Sequence, residues 1–161
     1  MSFKAQVEEY LSSATVFSDG LFLDKTMLVA GGSGGIGLAV SSLLVRLGAN
    51  LVITGRKERP LADITSVLSE LTESKISYFV SDIRKPDEVE TMFEQHFSNE
   101  KLDAVVNCAG GQFPQPAIDF RRKGWDAVID TNLNGSWNLM STAARYWESK
   151  GEGGNIVNVV V

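Results

Sequence analysis

The run Ala30-Gly31-Gly32-Ser33-Gly34-Gly35-Ile36-Gly37 lies between an apolar stretch, Met27-Leu28-Val29-Ala30, and the helix-like Leu38-Ala39-Val40-Ser41-Ser42-Leu43-Leu44-Val45. A strand, a glycine turn and a helix form an arrangement that receives phosphate. The first N–H groups of a helix have no partner inside it, and the aligned peptide dipoles place roughly half a positive charge there. Glycine is needed wherever a Cβ would block the turn or the approach of a phosphate. Spacing then selects the type of turn. No Lys-Ser/Thr pair follows Gly35 or Gly37, which excludes a P-loop, and Gly31, Gly35 and Gly37 form GxxxGxG, close to but distinct from the GxGxxG dinucleotide fingerprint.

Other chemistries are narrowed by count. Cys108 and His96 are the only cysteine and histidine, so an internal disulfide and a His/Cys metal cluster are excluded. Cys108, at the end of an apolar run, is expected to be a small buried thiol and not a nucleophile. His96, in the charged segment Glu90-Thr91-Met92-Phe93-Glu94-Gln95-His96, is expected to be solvated. Asn134-Gly135-Ser136 matches a glycosylation sequon by chance. A net charge of -5 argues against a nucleic-acid surface. Apolar runs fall well short of the about 20 residues of a membrane span, and acidic residues occupy the start, where a signal peptide needs an apolar core. The chain is therefore expected to be soluble and intracellular, with no nucleic-acid or membrane partner.

The elements that must position the glycine turn follow from periodicity. Residues 3–13 read as an amphipathic helix and 16–22 as an extended leader with a turn at Asp19-Gly20, so that 1–25 precede the domain that 26–161 form. Strands are expected at 26–30, 50–54, 76–80, 102–106 and 155–161. Helices are expected at 35–47, from Pro60 to about Thr72, from Pro86 to about Phe97, and in one long run from about Gly124 to Ser149. Apolar strands alternating with amphipathic helices predict an α/β fold, a doubly wound parallel sheet covered on both faces. The loop Gly110-Gly111-Gln112-Phe113-Pro114-Gln115-Pro116 leaves the C-terminal end of a strand, where such sheets bind ligands.

Ala30 to Gly37, Ser81-Asp82-Ile83, Asn107-Cys108-Ala109-Gly110 and Asp130-Thr131-Asn132-Leu133 occur in the order and spacing of the short-chain dehydrogenase/reductase family, which the chain resembles along nearly its whole length. The resemblance implies a Rossmann fold, of which these residues supply the N-terminal five of seven strands, and a nicotinamide dinucleotide cofactor. It implies that Gly31, Ser33, Gly34, Gly35, Ile36 and Gly37 hold the cofactor, that Asp82 and Ile83 meet adenine, and that Asn107, Ala109 and Gly110 brace or line the site. Asn132 matches the helix asparagine of the catalytic set, whose backbone holds a water. Ala30 stands where the family has Thr, and Cys108 where it has a second Asn. Trp137 and Tyr146 are candidates for the contacts of a homodimer or homotetramer, with core packing as the equal alternative.

Charge argues the cofactor type. An NAD enzyme places an acid at the end of the second strand, whereas Leu51-Val52-Ile53-Thr54 is followed here by Gly55-Arg56-Lys57. Arg56 can fork onto a 2′-phosphate and stack on adenine, which points to NADPH. Within the family, the leader, the Asn107–Phe113 loop, Lys123-Gly124-Trp125 and the Val-rich close resemble trans-2-enoyl-CoA and 2,4-dienoyl-CoA reductases, with terpenoid alcohol dehydrogenases also similar. That resemblance implies an acyl-CoA substrate bordered by Gln112 and Phe113, in the cytoplasm or the peroxisome. In the family a Ser closes the fifth strand, at about Val161 here, and a Tyr-x3-Lys pair stands on the next helix. The expectation is that these residues are the cofactor-binding part of a longer reductase, a truncated non-catalytic module being the alternative.

Overall fold

The computed structural model describes residues 3–159. Five parallel strands, β1 (Thr26–Ala30), β2 (Asn50–Gly55), β3 (Ile76–Val80), β4 (Ala104–Asn107) and β5 (Asn155–Asn158), form one sheet in the order β3-β2-β1-β4-β5. From β1 the chain winds outward through β2 and β3, then returns to the other side of β1 as β4. This reversal leaves a crevice beyond the C-terminal ends of β1 and β4, where doubly wound sheets bind ligands. Register places Ala30 beside Thr54 on one side and Asn107 on the other.

Alternation along the strands builds two cores. Met27, Val29, Leu51 and Ile53 face α2 (Gly35–Arg46) and α3 (Glu58–Leu71), joined by Val7 from α1 (Phe3–Ser12). On the opposite face, Leu28, Val52 and Val105 meet α4 (Pro86–Phe97) and the C-terminal helix through Val89, Met92, Phe97, Leu139 and Ala143. Each fully buried Leu, Ile, Val or Phe contributes about 1.5–3 kcal/mol to such a core.

Several boundaries differ from the sequence expectation, and α3 begins at Glu58, two residues before Pro60. Strand β4 begins two residues late, at Ala104; Asp103 before it still reaches both neighbours through its backbone, its N–H donating to Thr26 O at 2.8 Å and its carbonyl accepting Asn155 N–H at 3.1 Å, while its carboxylate accepts the Thr26 N–H at 3.0 Å and Lys25 at 3.2 Å. The expected helix 124–149 is α5 (Arg122–Ile129), a π-helical segment (Asp130–Gly135) and α6 (Ser136–Lys150). Strand β5 ends at Asn158, and the expectations for Val160 and Val161 lie outside the described residues. His96 is half-buried, not solvated: it lies edge-on to Phe79 at 5.5 Å, and burial pushes its pKa down. Trp137 is 66% exposed, while Tyr146 packs against Phe93 and Phe97.

Candidate cofactor site

The glycine turn is tied to its neighbours by backbone hydrogen bonds. Gly31 N–H donates to Thr54 O at 2.8 Å, Gly34 N–H to Gly31 O at 3.0 Å, and Cys108 N–H to Ala30 O at 2.8 Å. Two of its glycines are there for close approach. Gly31 has φ +72°, and a Cβ on it would stand 2.7 Å from Ala109 N; a Cβ on Gly37 would stand 2.1 Å from Gly31 O. Gly35 differs, because a Cβ on it meets nothing within 4 Å. It opens α2 beneath exposed Gly34, and the first α-helical bond of the turn runs from Leu38 N–H to Gly34 O, leaving the N–H groups of Gly35, Ile36 and Gly37 as the helix-start donors.

In front of this turn lies a cleft of about 210 Å³, lined by Gly31, Ser33, Gly34, Ala109 and Gly110 and, from the ends of β2 and β3, by Arg56, Lys57, Ser81, Asp82 and Ile83. Arg56 and Lys57 are exposed, and no carboxylate ends β2. The Ser81 hydroxyl is buried and has no hydrogen-bond partner among the described residues. Cys108 also lines the cleft, half-buried, and burial pushes its thiol up, which suits packing and not nucleophilic attack. A positively tipped helix end, a backbone too crowded for side chains and two cations at the rim fit an elongated polyanion.

Asp82 enters the cleft from the end of β3. The Arg84 guanidinium beside it holds its carboxyl below the usual carboxylate range, with Arg56 adding a smaller pull. Asn107 is 1% exposed. Its amide donates to Ser136 Oγ at 2.9 Å and Asn158 Oδ1 at 3.1 Å, and its carbonyl oxygen accepts Ala109 N–H, so it joins the ends of β4 and β5 to α6. Asn132 sits half-buried within the π segment. Its amide group both donates to and accepts from the Gly111 backbone at 3.0 Å, and its own carbonyl accepts Ser136 Oγ–H at 2.8 Å. The pair therefore fixes the loop after β4. A π segment at this point matches the tendency of such segments to occur at functional sites.

Not every expected residue reaches the cleft. The Ile36 side chain is 59% exposed and does not line the cleft. Gln112 is exposed, and Phe113, 54% exposed, lies against Gly124 of α5, away from the glycine turn. A Tyr-x3-Lys spacing does exist, at Tyr146 and Lys150, but it points elsewhere. Tyr146 lies eight residues along α6 from Asn138, about 12 Å by helical rise. Its hydroxyl donates to Glu100 O at 2.6 Å and Lys150 Nζ donates to Ser98 O at 2.8 Å, both near the start of β4. Burial pushes the Tyr146 phenol up, the opposite of what an acid catalyst needs. What the sequence reading missed is the support around Asp82: Arg84, Glu88 and Asn138. The local spacing Asp82-x-Arg84 and the Pro86 helix start were the available signals.

Residues 25–161 match the short chain dehydrogenase family. The chain is 31% identical over 136 residues to a probable 2,4-dienoyl-CoA reductase of Bacillus subtilis, covering 84% of this chain and 53% of that one. It is 34% identical over 140 residues to a 3-oxoacyl-acyl-carrier-protein reductase of Chlamydia muridarum, covering 86% and 56%. Among solved structures, a citronellol catabolism dehydrogenase of Pseudomonas aeruginosa superposes with a TM-score of 0.83 at 32% identity, covering 91% and 59%. The chain thus spans about half the length of the relatives it matches. No helix of the described residues is long and apolar enough to cross a membrane. The glycine cradle, the parallel order β3-β2-β1-β4-β5 and these matches agree: the chain belongs to the short chain dehydrogenase family.

Proposed function

We propose that the protein is an NADPH-dependent oxidoreductase acting on the double bond of an enoyl-CoA thioester. The observation that carries the cofactor choice is the end of β2, where Arg56 and Lys57 line the cleft and no carboxylate stands ready for ribose hydroxyls. A reduced nicotinamide dinucleotide supplies a hydride. The chain's own residues do the rest of the binding: the helix-start N–H groups of Gly35, Ile36 and Gly37 take the diphosphate, Ser33 lines the same turn, and the Arg56 fork takes the 2′-phosphate. Asp82 accepts from the adenine amine while Ile83, Ala109 and Gly110 wall the cleft. Asn132 holds the Gly111 backbone in place beside the reacting end.

The acyl-CoA substrate is supported by the likeness to the dienoyl-CoA reductase, and a secondary alcohol is the competing reading, supported by the likeness to the citronellol catabolism dehydrogenase. Exposed Trp137 on α6 supports self-association as a homodimer or homotetramer. Fluorescence titration with NADPH and NADH tests the cofactor: NADPH binds more tightly, and Arg56→Ala narrows the gap by about tenfold to a hundredfold, the worth of a charged hydrogen-bonded pair. Equal binding of both nucleotides, or no effect of the substitution, refutes it. Turnover of crotonyl-CoA and longer enoyl-CoAs tests the substrate, and turnover of a secondary alcohol alone refutes the acyl reading.

A further inference from the structure

The cleft wall made by Ser81, Asp82 and Ile83 belongs to a short link between the end of β3 and Pro86 at the start of α4. Its first residue is kept level with β2 by the Ser81 N–H, which donates to Gly55 O at 3.0 Å, and the link is closed by the Lys85 N–H on Asp82 O at 2.8 Å. Neither bond holds Ile83 itself. That residue, 5% exposed, is held from α6. Asn138 Nδ2, 55 positions later in the chain, donates to the Ile83 carbonyl at 3.0 Å, the only hydrogen bond this carbonyl has among the described residues. Gly135 lies so close to the Ile83 side chain that a Cβ on it would stand 2.7 Å from Cγ1.

The first turn of α6 thus reaches the cleft on two sides. Residues two apart on a helix do not share a face. Ser136 Oγ accepts from Asn107 Nδ2 at 2.9 Å, at the end of β4 that leads into Ala109 and Gly110, whereas Asn138 turns to Ile83, in the part of the cleft that the ends of β2 and β3 supply with Arg56 and Asp82. Asparagine suits that second task because its short side chain carries N–H donors; a leucine of similar size has none. A half-buried carbonyl left without its donor turns toward water, and the Ile83 backbone turns with it.

We propose that Asn138 is a positioning residue for the adenosine half of the cofactor: it holds the Ile83 backbone, and with it the wall against which that half packs, in place before the ligand arrives. This rests on the reading of the cleft as a dinucleotide site. Asn138 does not itself line the cleft, so its effect on binding passes through Ile83. Without the bond, the wall has to be set in place during binding, and affinity falls by the cost of doing so.

The test measures NADPH by fluorescence titration and adenosine 2′,5′-bisphosphate, the half-ligand, by its displacement of NADPH, for the parent, Asn138→Leu, Gly135→Ala and Tyr146→Phe. Asn138→Leu weakens both ligands by the same factor, about threefold to tenfold, the worth of one neutral hydrogen bond. The nicotinamide emission of the NADPH-saturated variant stays that of the parent, because the other half of the cofactor is undisturbed. Gly135→Ala pushes the same wall through the Ile83 side chain and gives the same pattern, which carries the test if Asn138→Leu does not fold. Tyr146→Phe is the structural control: it removes one hydrogen bond, to Glu100 O, about two turns further along the same helix, and lowers Tm without changing either affinity. An Asn138→Leu protein that melts lower yet binds both ligands as the parent does, that loses NADPH while keeping the bisphosphate, or that alters the nicotinamide emission at saturation overturns the inference alone. Failure of the parent to bind either ligand overturns the cofactor reading and the inference with it.

Discussion

Substituting Gly35 by alanine separates the glycine turn as structure from the glycine turn as binding site. A Cβ there meets nothing within 4 Å, so the folded chain accepts it without strain. Gly35 is also the first residue of α2, where alanine is favoured over glycine by about 0.5–1 kcal/mol, chiefly because the unfolded chain has less freedom to lose. For a chain of this size that is a rise in Tm of about 1–4 °C. Binding changes in the opposite direction. The Cα–Cβ bond of a helical residue tilts toward the helix N-terminus, so the new methyl enters the space in front of the helix-start N–H groups. Losing two charge-assisted bonds to a diphosphate, each worth about 1.5–3 kcal/mol, weakens NADPH about a hundredfold or more. Thermal melting and fluorescence titration of the same preparation read both effects. Gly37→Ala is the contrast: its Cβ would stand 2.1 Å from Gly31 O, so it lowers Tm as well as binding. A Gly35→Ala protein that binds NADPH as the parent does would refute the phosphate cradle, and one that melts well below the parent would refute the claim of open space.

Two further outcomes are expected. Tyr146→Phe removes the bond to Glu100 O and lowers stability by about 0.5–1.5 kcal/mol in denaturant melts, while NADPH affinity is unchanged; a drop in affinity would return Tyr146 to the cofactor site. The Arg84 guanidinium depresses the Asp82 pKa, so its contribution to stability is fully present above the ordinary carboxylate range and is lost as pH falls through the lowered value. The groups facing Asp82 are Arg84, Arg56 and, at its backbone N–H, Glu88 with Lys85. Melting the parent beside Arg84→Gln between about pH 6 and pH 2.5 shows a gap that narrows as the pH falls, and a gap that stays constant or widens with acid refutes the assignment.

The order of elements and the sheet were legible because burial on both faces writes itself into composition: Met27–Ala30 and Leu51–Ile53 are apolar at every position facing either helical layer. The glycine turn was legible because its steric demand admits no other residue at Gly37. What escaped depends on contacts distant in sequence. The π segment exists where Asn132 clips Gly111 and Gly135 seats Ile83, pairings between residues 21 and 52 positions apart. The half-burial of His96 is likewise due to Phe79 on β3, not to its own helix face.

The Tyr-x3-Lys spacing on α6 shows how little a motif says without its place on the sheet. Tyrosine and lysine four apart share a helix face wherever they fall. To act on a ligand at the β1–β4 crevice they must stand near the C-terminal ends of the strands, and on α6 that end is occupied by Ser136 and Asn138, which reach Asn107 and Ile83. Tyr146 and Lys150 come two turns or more later and cap the loop entering β4. Because every crossover helix in a parallel sheet runs antiparallel to its strands, only the first turns of such a helix face the crevice. The same rule explains why the start of α2 and the segment just before α6 carry the site, while the far ends of those helices serve packing alone.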